Sequence, residues 1–443
     1  MRATTSNVDC LSHTILLDHA YFSFSEDVYL VKGASRHCIY DLKNGYLYAI
    51  SALAKDVSDA LHTKPYAYKD LSDEAKSIAD FFLESGLLET SSAPATMQDI
   101  LTLKREFSPS FSWIEVTRKC NLKCTFCYEE SSPDCYEKMD FEDFKLAIKN
   151  LKDVGIRNIQ FIGGEPMILG DELKKMITYC RQNPTDFDFI EVYTNGVFIQ
   201  THWCEFFKEH DIRLALSVHS YIPEEHDKVT LTKGSHARVI RAIDLIQRFE
   251  IPYRVGAVQT ASCQVGEKTE TTSYTIRPDN VRLSGRGAIS QYNLDMFKQK
   301  AITKDKKRYP ITKQQVVQHV SGHQCFMKDL YIGTQLDVFP CVMERRFLYG
   351  NLKKESLKKI VQAATTRYLS KDSIDGCKSC EYRYGCFDCR PDANGLGEFQ
   401  KPWFCSYDPY TGEWSDLEEM FSNLQQGIYH ASVYKSSPVL ALS

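Results

Sequence analysis

Between residues 112 and 259 the sequence alternates short strand-like runs with amphipathic runs, and this alternation restricts the fold more than any other feature. The strand candidates are SWIEVT (112–117), NIQFI (158–162), FIEVYT (189–194), IRLALSV (212–218) and YRVGAVQ (253–259). Between them, FEDFKLAIKNL spaces Phe141, Phe144, Ile148 and Leu151 for one helical face, and HARVIRAIDLIQRF has the same character. Repeated strand and helix units build a parallel sheet, so the chain is expected to be α/β with the sheet curved into a full or partial barrel. Chemistry in such a fold gathers at the C-terminal ends of the strands.

Directly after the first strand stands RKCNLKCTFCYEE, which places Cys120, Cys124 and Cys127 as C-x3-C-x2-C. The N-terminal MRATTSNVDC lacks a basic stretch followed by an apolar one, and no run approaches the length of a membrane span. A cytoplasmic protein with no membrane partner is therefore expected. In a reducing compartment, clusters among 16 cysteines point to metal binding or redox chemistry rather than to disulfides. Cys10, Cys38 and Cys180 read as small buried hydrophobes. Three thiolates on one loop would hold three irons of a cubane and leave the fourth iron open to another molecule. Zinc is the competing reading, but closed zinc sites join C-x2-C pairs from two places. The formal charge of −4, from 54 basic and 58 acidic residues without long single-sign blocks, gives no reason to expect nucleic acid as a partner.

The first 105 residues differ in pattern. VYLV (28–31) and HCIYDLKNGYLYAI (37–50) read as strands, the second folded at Lys43-Asn44-Gly45 into a hairpin. In LSDEAKSIADFFLESGLLE, Ala75, Ile78, Phe82 and Leu83 share a face, with Ser72 placed to cap the start and Gly86 the end. A small winged-helix-like module is expected here.

CNLKCTFCY resembles the signature of the radical S-adenosylmethionine (SAM) enzymes, with Phe126 before the third cysteine and Tyr128 after it. The resemblance implies that SAM completes a 4Fe–4S cluster held by Cys120, Cys124 and Cys127, and is cleaved to a 5′-deoxyadenosyl radical that abstracts hydrogen from a substrate. It extends to FIGGEP, where Gly163, Gly164, Glu165 and Pro166 match the family's GGEP segment, and implies SAM contacts at Thr194 and Asn195 of TNG and at Ser217 and His219. In the C-terminal third, Cys325, Cys341, CKSCEYRYGCFDC with Cys377, Cys380, Cys386 and Cys389, and finally Cys405 resemble a SPASM domain. That pattern implies two auxiliary 4Fe–4S clusters, one on Cys377, Cys380, Cys386 and Cys405, the other on Cys325, Cys341 and Cys389 with a vacant iron or a non-cysteine ligand. Two features depart from it: the usual Gly five residues before Cys341 is Leu336, and the last short gap has two residues rather than three.

The resemblance divides the chain into a leader-recognition module (1–105), a partial (β/α)6 TIM-like radical SAM core (106–310), a SPASM domain (311–410) and a C-terminal helix and tail (411–443). This layout is most like the SPASM maturases found with ATP-grasp enzymes, of the grasp-with-spasm type. The implied partners are a precursor peptide with a leader and an external one-electron donor such as flavodoxin or ferredoxin, and the implied product is a thioether or carbon–carbon crosslink. Sulfatase-type maturases carry Asp directly after the cysteine aligned with Cys341, where this chain has Val342. A noncatalytic cluster- or zinc-bearing peptide-binding protein is the rival from another class. Cys263 reads as structural, and the sequence names no catalytic acid or base.

Overall fold

The computed structural model describes residues 20–63, 68–93, 98–308, 310–393 and 399–427, so Cys10 and residues 428–443 of the expected tail lie outside the described residues. In the N-terminal region β1 (Tyr21–Phe24) has an antiparallel partner later in the chain, and β2 (Val28–Lys32), β3 (His37–Asp41) and β4 (Tyr46–Ile50) form an antiparallel sheet in that order. The expected hairpin joins β3 to β4. Asp41 pairs with Tyr46, Asn44 donates to both Asp41 carboxylate oxygens through its N–H and side-chain amide, and Gly45 supplies the positive φ of 79° that closes the turn. Helix Asp73–Glu84 starts where Ser72 accepts a hydrogen bond from the Ala75 N–H, and Gly86 follows its end with φ 69°. Next, β5 (Leu88–Ser91) pairs with β1.

The alternating region forms six parallel strands: β6 (Phe111–Thr117), β7 (Asn158–Gly163), β8 (Phe189–Thr194), β9 (Arg213–Ser217), β10 (Tyr253–Gln259) and β11 (Ile276–Asn280). One set of alternate side chains, including Ile114, Val116, Ile159, Phe161, Val192, Leu214 and Leu216, is buried under the helices. Helix Phe141–Asp153 contributes Phe144, Ala147, Ile148 and Leu151 to that layer, and helix Ser235–Arg248 contributes Val239, Ala242, Ile243 and Ile246. The other set is polar: Glu115, Gln160 and Glu191 are buried, and Arg254 pairs with Glu191 at 2.7 Å. A parallel sheet covered on both faces would be apolar on both, so this polar concave face marks the interior of an open barrel.

The sixth strand was not legible in the sequence. Its IRPDN is polar and contains Pro278, which a strand tolerates only at an edge, where one row of backbone groups goes unpaired. β11 occupies one edge of the sheet. At the other side the C-terminal third extends it: β12 (Asp329–Ile332) pairs parallel with β6, and β13 (Asp337–Phe339) and β14 (Gly350–Asn351) follow antiparallel, giving the order β11-β10-β9-β8-β7-β6-β12-β13-β14. Among the described residues no helix is long and apolar enough to cross a membrane.

The N-terminal sheet does not stand apart. Tyr29, Val31, Cys38 and Tyr40 share a core with Val316, Val320, Tyr382, Tyr384 and Tyr407 of the cysteine-rich third. The buried Tyr40 hydroxyl donates to the Glu381 carbonyl at 3.0 Å and accepts the Gly385 N–H at 3.1 Å, while Arg383 reaches the Lys32 carbonyl at 2.7 Å. Tyr40→Phe leaves two buried backbone groups without their partner. Urea unfolding should show it less stable by about 1–3 kcal/mol.

Candidate functional site

The cysteine loop leaves the C-terminal end of β6 and is held from several directions. The Cys120 N–H donates to the Ser132 carbonyl at 3.1 Å and the Thr125 N–H to the Val229 carbonyl at 2.9 Å. Arg286 clamps it further, donating to the Cys124 carbonyl at 2.7 Å and the Ser131 carbonyl at 2.9 Å through its guanidinium, and to the Cys127 carbonyl at 3.0 Å through its backbone. Gly285 packs so closely that a Cβ there would fall 2.4 Å from the Tyr128 carbonyl oxygen. Neither Arg286 nor Gly285 was found from the sequence, where SGRG is one more polar loop.

FIGGEP meets this loop backbone to backbone. The Gly164 N–H donates to the Thr117 carbonyl at 2.8 Å and the Glu165 N–H to the Lys119 carbonyl at 2.9 Å. A Cβ on Gly163 would sit 2.0 Å from the Thr117 carbonyl oxygen, and one on Gly164 would sit 2.4 Å from that of Lys119. Only glycine permits this approach. Pro166 then opens a short helical turn, Pro166–Leu169.

Glu165 is fully buried and ties three segments together. One carboxylate oxygen accepts the Met167 N–H at 3.0 Å and the Thr194 hydroxyl at 2.8 Å, and the other accepts the Asn195 N–H at 2.7 Å. Thr194 is thus engaged with Glu165. The Asn195 side chain donates to Asn121 at 2.8 Å and lies 4.0 Å from the Cys120 sulfur, to which the Leu122 N–H also points at 3.4 Å. Ser217 is half-buried at the end of β9. His219 is buried, its ring edge-on to Phe126 at 4.7 Å and stacked on His226 at 5.3 Å. Its Nδ1 accepts the Val258 N–H at 3.2 Å, so a proton sits on Nε2, and burial pushes its pKa down to about 3, keeping the ring neutral. Cys263 is buried with its thiol toward the His219 carbonyl, and Cys38 and Cys180 are buried as expected.

Burial raises the Cys120 thiol, and nearby Glu165, Cys124 and Cys127 add to the effect; Cys124 is pushed up to about 12, first by burial and then by Cys127. Thiols on one loop, with the Leu122 N–H and the Asn195 amide directed at the Cys120 sulfur, suit a cationic iron–sulfur group, which binds them as thiolates.

Beyond the triplet, the C-terminal third supplies a network that the sequence did not disclose. Arg345 pairs with Glu129 at 2.8 Å and lies 3.7 Å over the Tyr331 ring, whose phenol hydrogen-bonds Glu115. Burial and the neighbouring Glu129 push the Glu115 carboxyl up to about 7.

Cys377, Cys380, Cys386 and Cys405 line one pocket, with buried Lys371 beside them. Cys325, Cys341 and Cys389 form a second electrostatically coupled group, the first two thiols pushed up to about 12, mainly by burial. Among the described residues no three Cys, His, Asp or Glu side chains converge on a single ion. The Leu336 departure has a backbone explanation: its φ is 66°, the left-handed conformation that glycine adopts freely, and its fully buried side chain joins the core.

Glu165 yields a pH signature. Burial raises its pKa to about 7 against the partial relief of three hydrogen bonds, so the folded state favours the protonated form. Its contribution to stability is full below about pH 4.5 and lost as pH rises through about 7. In the iron-free protein, unfolding free energy should therefore fall by about 2 kcal/mol across this range on account of this group. Glu165→Gln should flatten that part of a denaturant-versus-pH profile.

Residues 114–260 match the family model described as the Radical SAM superfamily, a segment that carries both the cysteine triplet and Gly-Gly-Glu-Pro. An S-adenosylmethionine-dependent nucleotide dehydratase of Oncorhynchus mykiss is 27% identical over 172 residues, 37% of this chain and 49% of that protein. The antilisterial bacteriocin subtilosin biosynthesis protein AlbA of Bacillus subtilis (strain 168) is 31% identical over 149 residues, 33% of this chain and 32% of that protein. The chain thus spans half or less of these curated relatives. Streptococcus suis SuiB bound to precursor peptide SuiA has a similar fold, with TM-score 0.52 and 13% identity over 86% of this chain and 98% of that one. Native anSMEcpe with bound AdoMet and Cp18Cys peptide gives TM-score 0.50 and 16% identity over 74% of this chain and 100% of that one.

Proposed function

We propose that this protein is a radical SAM/SPASM maturase that modifies a ribosomally made precursor peptide. The observation that carries the reading is the junction of the cysteine loop with Gly163–Glu165 at the C-terminal mouth of a parallel sheet, where backbone hydrogen bonds and two Cβ-free positions hold the segments against each other. Cys120, Cys124 and Cys127 would hold one 4Fe–4S cluster, and the C-terminal cysteines two auxiliary clusters. When bound, SAM and its cluster supply reductive cleavage to methionine and a 5′-deoxyadenosyl radical, which takes hydrogen from an unactivated C–H bond.

The chain's own residues prepare the place for that chemistry. Glu165 orders the Gly-Gly-Glu-Pro and Thr194–Gly196 segments together, and Phe126 and the neutral His219 form an aromatic wall beside the cysteine loop. Held by Cys377, Cys380, Cys386 and Cys405 and by Cys325, Cys341 and Cys389, auxiliary clusters would supply one-electron oxidation, so that a product radical loses an electron to them and a proton to solvent as a thioether or carbon–carbon bond is completed. Flavodoxin or ferredoxin in the cytoplasm would be the electron donor.

A peptide substrate is supported by the precursor peptide bound to SuiB, the peptide bound to anSMEcpe and the bacteriocin pathway of AlbA. The N-terminal module agrees: β4 is an edge strand with Tyr46 and Tyr48 exposed at 47% and 41%, suited to receive a leader as an added strand. The arrangement of modules fits the grasp-with-spasm type.

Anaerobic reconstitution with iron and sulfide, followed by SAM and dithionite, should give 5′-deoxyadenosine from the parent and none from the Cys120→Ala, Cys124→Ala, Cys127→Ala variant. A cluster-bearing parent that leaves SAM intact would instead mark a peptide-binding protein. With a cognate precursor peptide in hand, Tyr46→Ala with Tyr48→Ala should weaken its binding on the order of tenfold, read by fluorescence anisotropy, without changing peptide-independent SAM cleavage.

A further inference from the structure

The group formed by Cys325, Cys341 and Cys389 has three thiols where a closed cubane takes four ligands. Resting on the reading of these cysteines as cluster ligands, we propose that Asp329 is the fourth ligand of this auxiliary cluster, a carboxylate oxygen binding the iron that the three thiolates leave open. The placement follows from two short-range geometries. Cys325 lies in helix Gln324–Lys328 and Asp329 is its C-terminal cap residue, so the two side chains are one helical turn apart. β12 runs antiparallel beside β13, whose last residue, Phe339, lies two positions before Cys341, and the charge of Asp329 bears on both the Cys325 and the Cys341 thiols.

The local charges single out this carboxylate. Three acidic residues border the three thiols: Glu344 and Asp329 beside Cys341, and Asp392 beside Cys389. Glu344 is committed to Arg346, which donates to it from both backbone and guanidinium, and Asp392 is paired with Lys300 and Arg282. Asp329 accepts no hydrogen bond among the described residues. The nearest cation, Lys328, lies 5.3 Å over the ring of Phe107. A half-buried carboxylate beside thiols and without a hydrogen-bond donor gains from a cation that joins them. Coordination forms one O–Fe bond, releases any proton the carboxyl carries to solvent, and changes no oxidation state. The resulting cluster has no open iron, so it would carry electrons rather than anchor a substrate thiol.

The test uses the full chain with Cys120→Ala, Cys124→Ala and Cys127→Ala, so that only auxiliary clusters form on reconstitution with ferrous iron and sulfide. Electron paramagnetic resonance of the reduced protein is recorded with and without cyanide, which binds open iron. Two cyanide-insensitive signals are expected. Adding Asp329→Ala or Asp329→Asn should make one of the two respond to cyanide, and Asp329→Cys should restore insensitivity with a shifted reduction potential. The asparagine variant keeps the side-chain shape should alanine fail to fold. Two signals that ignore every change at Asp329, or a signal in the Asp329 protein that already responds to cyanide, would overturn the assignment alone. Absence of both auxiliary signals would overturn the reading of the cysteines as cluster ligands, and the assignment with it.

Discussion

Two backbones meet at the C-terminal ends of β6 and β7 with no space for a side chain between them, and the candidate site depends on that contact. A Cβ on Gly163 or Gly164 would stand closer to a carbonyl oxygen than atoms can approach, so this stretch of β7 carries bare backbone. The gain is that peptide N–H groups of the Gly164–Glu165 segment reach the carbonyls of Thr117 and Lys119, the residues that lead into Cys120. The cysteine loop is therefore aligned by main-chain hydrogen bonds, with no side-chain torsions between the two backbones.

Around this junction the protein invests buried polar groups where an ordinary core would be apolar. Glu165 joins the second and third strand ends through three donors, and the Glu115, Tyr331, Arg345 and Glu129 network joins the first strand to the C-terminal third. Such groups are costly to desolvate and are tolerated when their partners are fixed. They fix in turn how the cysteine loop, the sheet and the C-terminal hairpin sit together. The N-terminal sheet is bound into the same structure through Tyr40, which links it to the backbone between Cys380 and Cys386. A peptide gripped at β4 would lie on an element continuous with the auxiliary cysteines.

Much of this was legible residue by residue. The five strands read in the alternating region fall within one residue of their observed ends, and the caps at Ser72 and Gly86 and the turn at Gly45 lie where their residue types require. The sixth strand was missed because Pro278 and its charged neighbours give no alternating signal, and its pairing with β10 supplies what its composition lacks. Leu336 stood out as a departure in the sequence, yet its left-handed backbone shows that the turn itself is retained.

The sequence by itself determined the α/β alternation, the thiol spacing on one loop and the glycine pair opposite it, because periodicity, ligand spacing and backbone freedom are properties of a few adjacent residues. Only the tertiary structure decided that Arg286 would clamp the Cys124 and Cys127 carbonyls, that Arg345 would reach Glu129, and that Asp329 would come near Cys341. Those contacts join positions up to 216 residues apart. Their partners are chosen by strand order and register, which no local pattern encodes.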